Sequence, residues 1–308
     1  MRVKVILNPT SDKGRAVEYA DKIVEWARPF GGVDLVQTNA PGHGRILARE
    51  ADEQGYDLVV AAGGDGTVHE VVNGLVHGSR AAVPLGVIPI GSGNDFAFAH
   101  GIAADVQTAV SQLFTGTLQP TDLARVEDEH GRYRILHNNF GVGFDAIVLI
   151  RTHSITRIHG FAMYLLAVLQ TIAFYYQTPQ VTLHFDGERV EQAILFLTAG
   201  IGPRHGGGFM LTPNANVQDG LIDSCTVNPI GRMTMLRMLV KAIKGTHIHS
   251  RHVTMRKNKE ILIRGNTPLP IHIDGELFAH FNDNVKEVSI TTLPSAIQVM
   301  VPMAKNEE

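Results

Sequence analysis

The stretch Leu58-Val59-Val60-Ala61-Ala62-Gly63-Gly64-Asp65-Gly66-Thr67, continued by Val68-His69-Glu70-Val71-Val72-Asn73-Gly74-Leu75, decides how the chain is read. Its first five residues are apolar and suit a buried strand, and Val68, Val71, Val72 and Leu75 then recur at helical spacing. The turn between them therefore joins a strand to a helix. Three glycines in four positions permit positive φ and leave the backbone amides uncovered, and the start of a helix favours an anion such as phosphate. A carboxylate beside phosphate needs a reason. Asp65 has one if a divalent cation stands between the two, or if a sugar hydroxyl is bound there. A nucleotide with Mg²⁺ meets both conditions, while a plain tight turn reads the same on these residues alone.

The same alternation recurs on either side. Val3–Leu7 reads as a first buried strand, followed by the loop Asn8-Pro9-Thr10-Ser11-Asp12-Lys13-Gly14 and a helix over residues 16–27. Hydroxyls and a lysine after a strand suit phosphate, although Ser11 or Asp12 acting as a helix cap explains them equally. Residues 33–38 form a second strand that leads through Pro41-Gly42-His43-Gly44 into a helix ending near Gln54. Residues 84–89 form a fourth, which ends in Gly91-Ser92-Gly93-Asn94-Asp95-Phe96-Ala97 and a further helix. Alternating strands and helices predict a Rossmann-like parallel α/β domain, with ligands at the carboxyl ends of the strands. All four loops occupy such ends, and they bring two carboxylates, Asp65 and Asp95.

Near Pro120 the pattern changes. Short alternating strands follow at 124–126, 133–138, 181–185, 193–199, 224–228, 260–264, Ile271–Ile273 and 285–291, which predicts a β-rich second domain. The expected division is 1–122 for the α/β domain, with 295–308 returning to it, and 123–294 for the β-rich one. Asp122 lies at the junction, where it either faces a cleft or serves as a hinge carboxylate. Residues 161–176 are apolar almost all round, as a core helix or a lipid-facing wall would be. Residues 233–244 form a helix that, with its flanks, carries Arg232, Arg237, Lys241, Lys244, Arg251, Arg256 and Lys257. This is either a solvated basic face or a surface for anionic headgroups. In residues 213–223, Asn216, Asp219 and Gly220 are spaced as in a cation-wrapping loop or an Asp-Gly hairpin turn. His272-Ile273-Asp274-Gly275-Glu276 follows a short strand; in an extended chain Asp274 and Glu276 share a side, so one can accept a proton while the other orients it.

Composition narrows the class. The 308 residues are 44% hydrophobic and 19% charged, an ordinary globular balance, and a net charge of −3 argues against a nucleic-acid partner. One cysteine, Cys225, excludes an intrachain disulfide and a cysteine-based metal cluster, which fits a reducing cytoplasm. The first apolar run is too short for a signal peptide, and no stretch reaches the roughly 18 apolar residues of a transmembrane segment.

In this order and at these distances, Asn8-Pro9-Thr10-Ser11, Gly63-Gly64-Asp65-Gly66-Thr67, Gly91-Ser92-Gly93-Asn94-Asp95-Phe96-Ala97, Pro213-Asn214 through Asp219-Gly220, and Ile273-Asp274-Gly275-Glu276 resemble the diacylglycerol kinase catalytic family, in particular its soluble bacterial lipid kinases. The resemblance covers nearly the whole chain. It implies an ATP- and Mg²⁺-dependent kinase acting on a lipid hydroxyl, most simply that of diacylglycerol to give phosphatidic acid, with the nucleotide between an α/β domain and a β-sandwich domain. Asn8, Pro9, Thr10, Ser11, Asp12, Thr38, Gly64, Asp65, Gly66, Thr67, Val68, His69, Glu70 and Ser92 then correspond to ATP contacts. Asp65, Asp95 and Asp122 correspond to carboxylates that hold catalytic Mg²⁺ through water, Asp274 to the general base with Glu276 beside it, and Asn216, Asp219 and Leu221 to a structural Mg²⁺ site. Asp12 stands where many relatives have glycine. The resemblance further implies a cytoplasmic protein that meets its lipid at the inner membrane surface, and it is compatible with a homodimer. A kinase for a sphingoid base or another lipid alcohol, an NAD kinase of the same superfamily, and a non-catalytic nucleotide-binding protein are the alternatives.

Overall fold

Short strands of four to six residues make the first sheet, two of them apolar throughout. In the N-terminal part the order is β1 (Val3–Leu7), α1 (Ala20–Ala27), β2 (Asp34–Gln37), α2 (His43–Glu53), β3 (Leu58–Gly63), α3 (Asp65–Leu75), a small hairpin of β4 (Val76–His77) and β5 (Arg80–Ala81), β6 (Leu85–Pro89), α4 (Asp95–Ala99), α5 (Val106–Thr115) and β7 (Thr117–Asp128). These elements come from a computed structural model that describes residues 1–152, 155, 158 and 160–303. The chain divides into two units, Met1–Asp122 with Ser295–Glu308, and Leu123–Pro294; residues 304–308 lie outside the described residues.

In the first unit, β2, β1, β3 and β6 pair in that order and all in parallel. Every residue of β3 and β6 is buried, as strands covered on both faces require. The sheet's outer neighbour beyond β6 comes from the far end of the chain, where Val299 pairs in parallel with Leu85. Four strand ends thus point the same way, and the loops after β1, β2, β3 and β6 share one edge.

The second unit continues with β8 (Tyr133–Leu136), β9 (Asn139–Gly143), α6 (Phe144–Thr152), α7 (Gly160–Phe174), β10 (Gln180–Phe185), β11 (Glu188–Ala193), β12 (Phe196–Gly200), β13 (Ile222–Val227), α8 (Arg232–Ile243), β14 (Val253–Asn258), β15 (Glu260–Gly265), β16 (Ile271–Ile273), β17 (Glu276–Ala279) and β18 (Glu287–Val301). It holds two antiparallel groupings, β11-β10-β15-β18 joined by β7 and β8, and β14-β13-β12-β9-β16-β17. This is the expected sandwich. Helices α6, α7 and α8 cover the second grouping through a core that includes Phe144, Val148, Val168, Ile172, Met235 and Cys225. None of the helices among the described residues is long and apolar enough to cross a membrane.

Two expectations change. The helix expected over 16–27 is α-helical only from Ala20; residues 11–19 form a 3₁₀ segment, interrupted by tight turns at Asp12, Lys13 and Gly14, which take positive φ (46°, 61° and 85°). Residues 139–143, 188–193, 253–258 and 276–279 are additional strands. Glu188–Ala193 is a polar edge strand, and Asn139–Gly143 carries two glycines, so neither shows the alternation that marks a half-buried strand.

Candidate active site

In the first unit the loops after β1, β3 and β6 converge. The Asn8 amide donates to the Ala62 carbonyl at 3.0 Å, and its side-chain Nδ2 donates to Thr67 Oγ1 at 3.2 Å. Ser11 Oγ lies so near β3 that a Cβ placed on Gly63 would stand 3.0 Å from it and 2.2 Å from Thr67 Oγ1. Gly64 and Gly91 touch through their backbones, since a Cβ on Gly91 would fall 2.4 Å from the Gly64 Cα. Glycine is therefore required at these positions for close approach. The expectation of positive φ in Gly63-Gly64-Asp65-Gly66 does not hold; in the β6 loop packed against it, the left-handed residue is Asn94 (φ 53°), whose side chain closes its own loop on the Gly91 amide and carbonyl at 3.0 and 2.9 Å.

Asp65 opens α3, and its Oδ1 accepts from the Phe96 amide at 3.2 Å, which ties the start of α3 to the start of α4, where Asp95 is buried. His100 extends this link, bonding the Phe96 carbonyl through Nδ1 (2.9 Å) and Thr121 Oγ1 through Nε2 (3.1 Å). Asp122, next to Thr121, is 1% exposed and accepts from the Ser295 amide at 2.7 Å. The three carboxylates so belong to one hydrogen-bonded framework, but their ligand atoms are not gathered within 4.8 Å of one another. Carboxylate oxygens are the hard donors that Mg²⁺ takes, and a set not gathered around one point suits contact through the ion's bound waters better than enclosure by side chains.

Four residues of the expected nucleotide set have side chains that are engaged or buried. Glu70 caps α2, with its carboxylate accepting from the Gly42 and Gly44 amides at 2.6 and 2.8 Å, so it anchors the loop that contains Thr38. Val68 is 2% exposed, and its amide donates to the Gly64 carbonyl at 3.2 Å, so its side chain packs in the core. Thr10 is tied to Asn8 Oδ1 and Asp12 to Arg15, while Ser92 is exposed.

In the second unit Asp274 and Gly275 are the two central residues of the β16–β17 hairpin, with φ of 52° and 80°. This pair of left-handed residues is what Asp-Gly supplies in a tight hairpin. It overturns the extended-chain expectation that Asp274 and Glu276 share a side: Asp274 is 4% exposed and Glu276 faces solvent. The Asp274 carboxylate accepts from three consecutive amides, His137 at 3.1 Å and Asn138 and Asn139 at 2.9 Å each.

Two residues before it, His272 places Nε2 3.1 Å from Oδ2 of Asp145, whose Oδ1 accepts from Tyr164 OH at 2.9 Å. Gly141 makes room for the pair, since a Cβ there would lie 2.2 Å from His272 Nε2. Burial pushes the Asp145 carboxyl up, but His272, His205 and the Tyr164 hydroxyl outweigh it and hold the group below its ordinary range. Asp145 and Tyr164 form the polar corner of an apolar cavity walled by α6, α7 and α8 and lined by Phe144, Val168, Phe209 and Met235 among others. Sequence reasoning passed over this corner. Its signal was Asp145 itself, a lone carboxylate in the run from Asn139 to Ile150.

In the expected structural-metal loop, Asn216 Oδ1 accepts from the Gln218 amide (3.1 Å) and Asp219 Oδ1 from the Leu221 amide (3.1 Å). The other Asp219 oxygen meets Lys257 Nζ at 2.6 Å, and the same ammonium stands 3.3 Å from Asp223.

A parallel α/β unit with glycine loops at its strand ends is followed by an antiparallel sandwich unit. Residues 2–126 match the diacylglycerol kinase catalytic domain, and residues 138–301 match the YegS C-terminal NAD kinase beta sandwich-like domain. The chain is 28% identical over 277 residues to a diacylglycerol kinase of Bacillus subtilis, covering 89% of each. A crystal structure of a diacylglycerol kinase from Bacillus anthracis superposes with a TM-score of 0.72 at 21% identity, over 97% of this chain and 96% of that one. An NAD kinase from Archaeoglobus fulgidus in complex with ATP is a more distant likeness in fold, with a TM-score of 0.53 at 15% identity over 100% and 94% of the two chains. This chain is also 31% identical over 245 residues, 78% of its length and 76% of the other's, to a probable lipid kinase YegS-like of Chromohalobacter salexigens. The chain belongs to this family of lipid kinases, which joins a diacylglycerol kinase catalytic domain to a YegS C-terminal domain.

Proposed function

We propose that this lipid kinase transfers the γ-phosphate of ATP to the free hydroxyl of a diacylglycerol, giving phosphatidic acid, and that it does so at the cytoplasmic face of a membrane. The observation that carries the acceptor class is the apolar cavity with one polar corner, which suits acyl chains ending in a hydroxyl-bearing headgroup and offers nothing to the charged pyrophosphate of NAD. The glycine contacts of the three N-terminal loops favour a phosphate-bearing donor, because they bring bare backbone to the start of α3.

In this reading Asn8, Ser11 and Thr67 position the nucleotide, and Asp65, Asp95 and Asp122 are the residues to hold Mg²⁺ through water. When bound, the cation neutralises charge on the transferring phosphoryl oxygens. Asp274 takes the proton of the acceptor hydroxyl as its oxygen bonds to the γ-phosphorus and the bond to the ADP oxygen breaks. Three amides fix the carboxylate so that it need not reorganise.

The test is transfer of labelled γ-phosphate from Mg·ATP to diacylglycerol, a sphingoid base, an isoprenoid alcohol and NAD, with a no-acceptor control. Labelled phosphatidic acid is the expected product. Label on another lipid would replace the acceptor, and label on NAD alone would overturn the reading.

A further inference from the structure

The cavity's wall has an outer side. Helix α8 turns Met235, Met238, Leu239 and Ala242 inward, where they line the cavity. Its opposite face is apolar as well: Met233 is 68% exposed, Leu236 36%, Val240 56% and Ile243 37%. At 100° per residue these four fall in one stripe about 80° wide, and Lys244, Arg237 and Lys241 fall in a row along one side of it. All three cations are exposed, and among the described residues none forms an ion pair. The charge is lopsided over a longer stretch, since residues 224–259 contain eight lysines and arginines and no carboxylate, in a chain whose net charge is −3, and of the eight Arg256 and Lys257 are paired with Glu188, Asp219 and Asp223. Arg232 fastens the start of α8 to the end of α7 through the Ile172 carbonyl at 2.9 Å, and Phe174 at that end of α7 is 76% exposed.

We propose that this outer face of α8, with Phe174 of α7, is where the kinase docks on an anionic lipid bilayer. The inference rests on the lipid-kinase reading above and adds which surface meets the membrane. An exposed apolar stripe next to a row of unopposed cations matches an interface that is apolar below and anionic at its surface. Docking there sets one thin helix between the bilayer and the cavity, so an acceptor lipid has only the thickness of α8 to pass.

Flotation of the full chain with phosphatidylcholine vesicles, with and without phosphatidylglycerol, tests this without nucleotide. Binding is expected only with phosphatidylglycerol present and should weaken as salt rises. R237Q/K241Q/K244Q should bind about a hundredfold more weakly, and Met233→Glu with Val240→Glu should abolish flotation. Both variants should keep the wild-type thermal transition and wild-type turnover on a short-chain diacylglycerol dissolved as monomer, because none of these side chains lines the cavity. Unchanged flotation of both variants, equal binding to neutral vesicles, or a shift of the free protein from dimer to monomer on substitution would each overturn the proposal. Since binding is read apart from phosphate transfer, a failure of the kinase assay leaves this result standing, and the reverse.

Discussion

At the scale of single residues, Asp274 shows how a short motif gains meaning from its backbone. Its carboxylate faces three amide donors, so replacing one oxygen by an amide NH₂ sets donor against donor in a buried place, at a cost of about 1–3 kcal/mol. Asp274→Asn is therefore expected to abolish turnover and also to lower the melting temperature by several degrees. Glu276→Gln, at an exposed position of the same hairpin, should leave the melting temperature unchanged; calorimetry beside the transfer assay checks both. A stable, active Asp274→Asn variant would remove this residue from the role of base. The carboxylate of Glu70 carries a related lesson. Its place in the Gly64–Glu70 run suggests a ligand contact, whereas its two oxygens go to the start of α2.

At the scale of elements, the parallel sheet was legible because buried parallel strands are continuous apolar runs and each ended in glycine or a small polar loop. The sandwich was legible in kind but not in count. Its edge strand Glu188–Ala193 is polar, and Asn139–Gly143 is packed under helices, so neither alternates. The loop residues were legible as a set, since Asn8, Ser11, Gly64, Thr67 and Gly91 do meet. The cavity was not, because its walls come from α6, α7, α8 and residues as far apart as Phe144 and His247. The loop at Asn216–Leu221 yields a test at this scale. If Lys257 serves as its cation, a chelator will not move the melting temperature, and Lys257→Met will lower it by a few degrees and create a response to added Mg²⁺. A half-exposed ion pair contributes about 1 kcal/mol or less, and Asp223, already pushed up by burial, loses its partner as well. A marked loss of stability on chelation of the wild type would restore the metal in place of the lysine.

At the scale of the whole molecule, the first unit is not a continuous stretch of chain. Residues 1–122 expressed alone lack the segment whose Val299 pairs with Leu85, whose Ser295 amide meets Asp122, and whose Val301 carbonyl abuts Gly116. Such a fragment should be recovered mainly as aggregate, and fusing residues 295–303 to its end through a short glycine linker should return a cooperative thermal transition. Equal solubility of the two forms would mean that the last strand is dispensable.

That borrowed strand also has a consequence in time. On the ribosome, β6 is complete about 210 residues before its outer neighbour exists, and the whole of Leu123–Pro294 must be synthesised in between. At about 5–20 residues per second the second unit alone takes roughly 10–30 s, during which the nascent sheet presents an unpaired hydrogen-bonding edge. A nascent chain so exposed is a natural client for chaperones that shield strand edges, and its yield should depend more on the pace of translation than on the stability of the finished kinase.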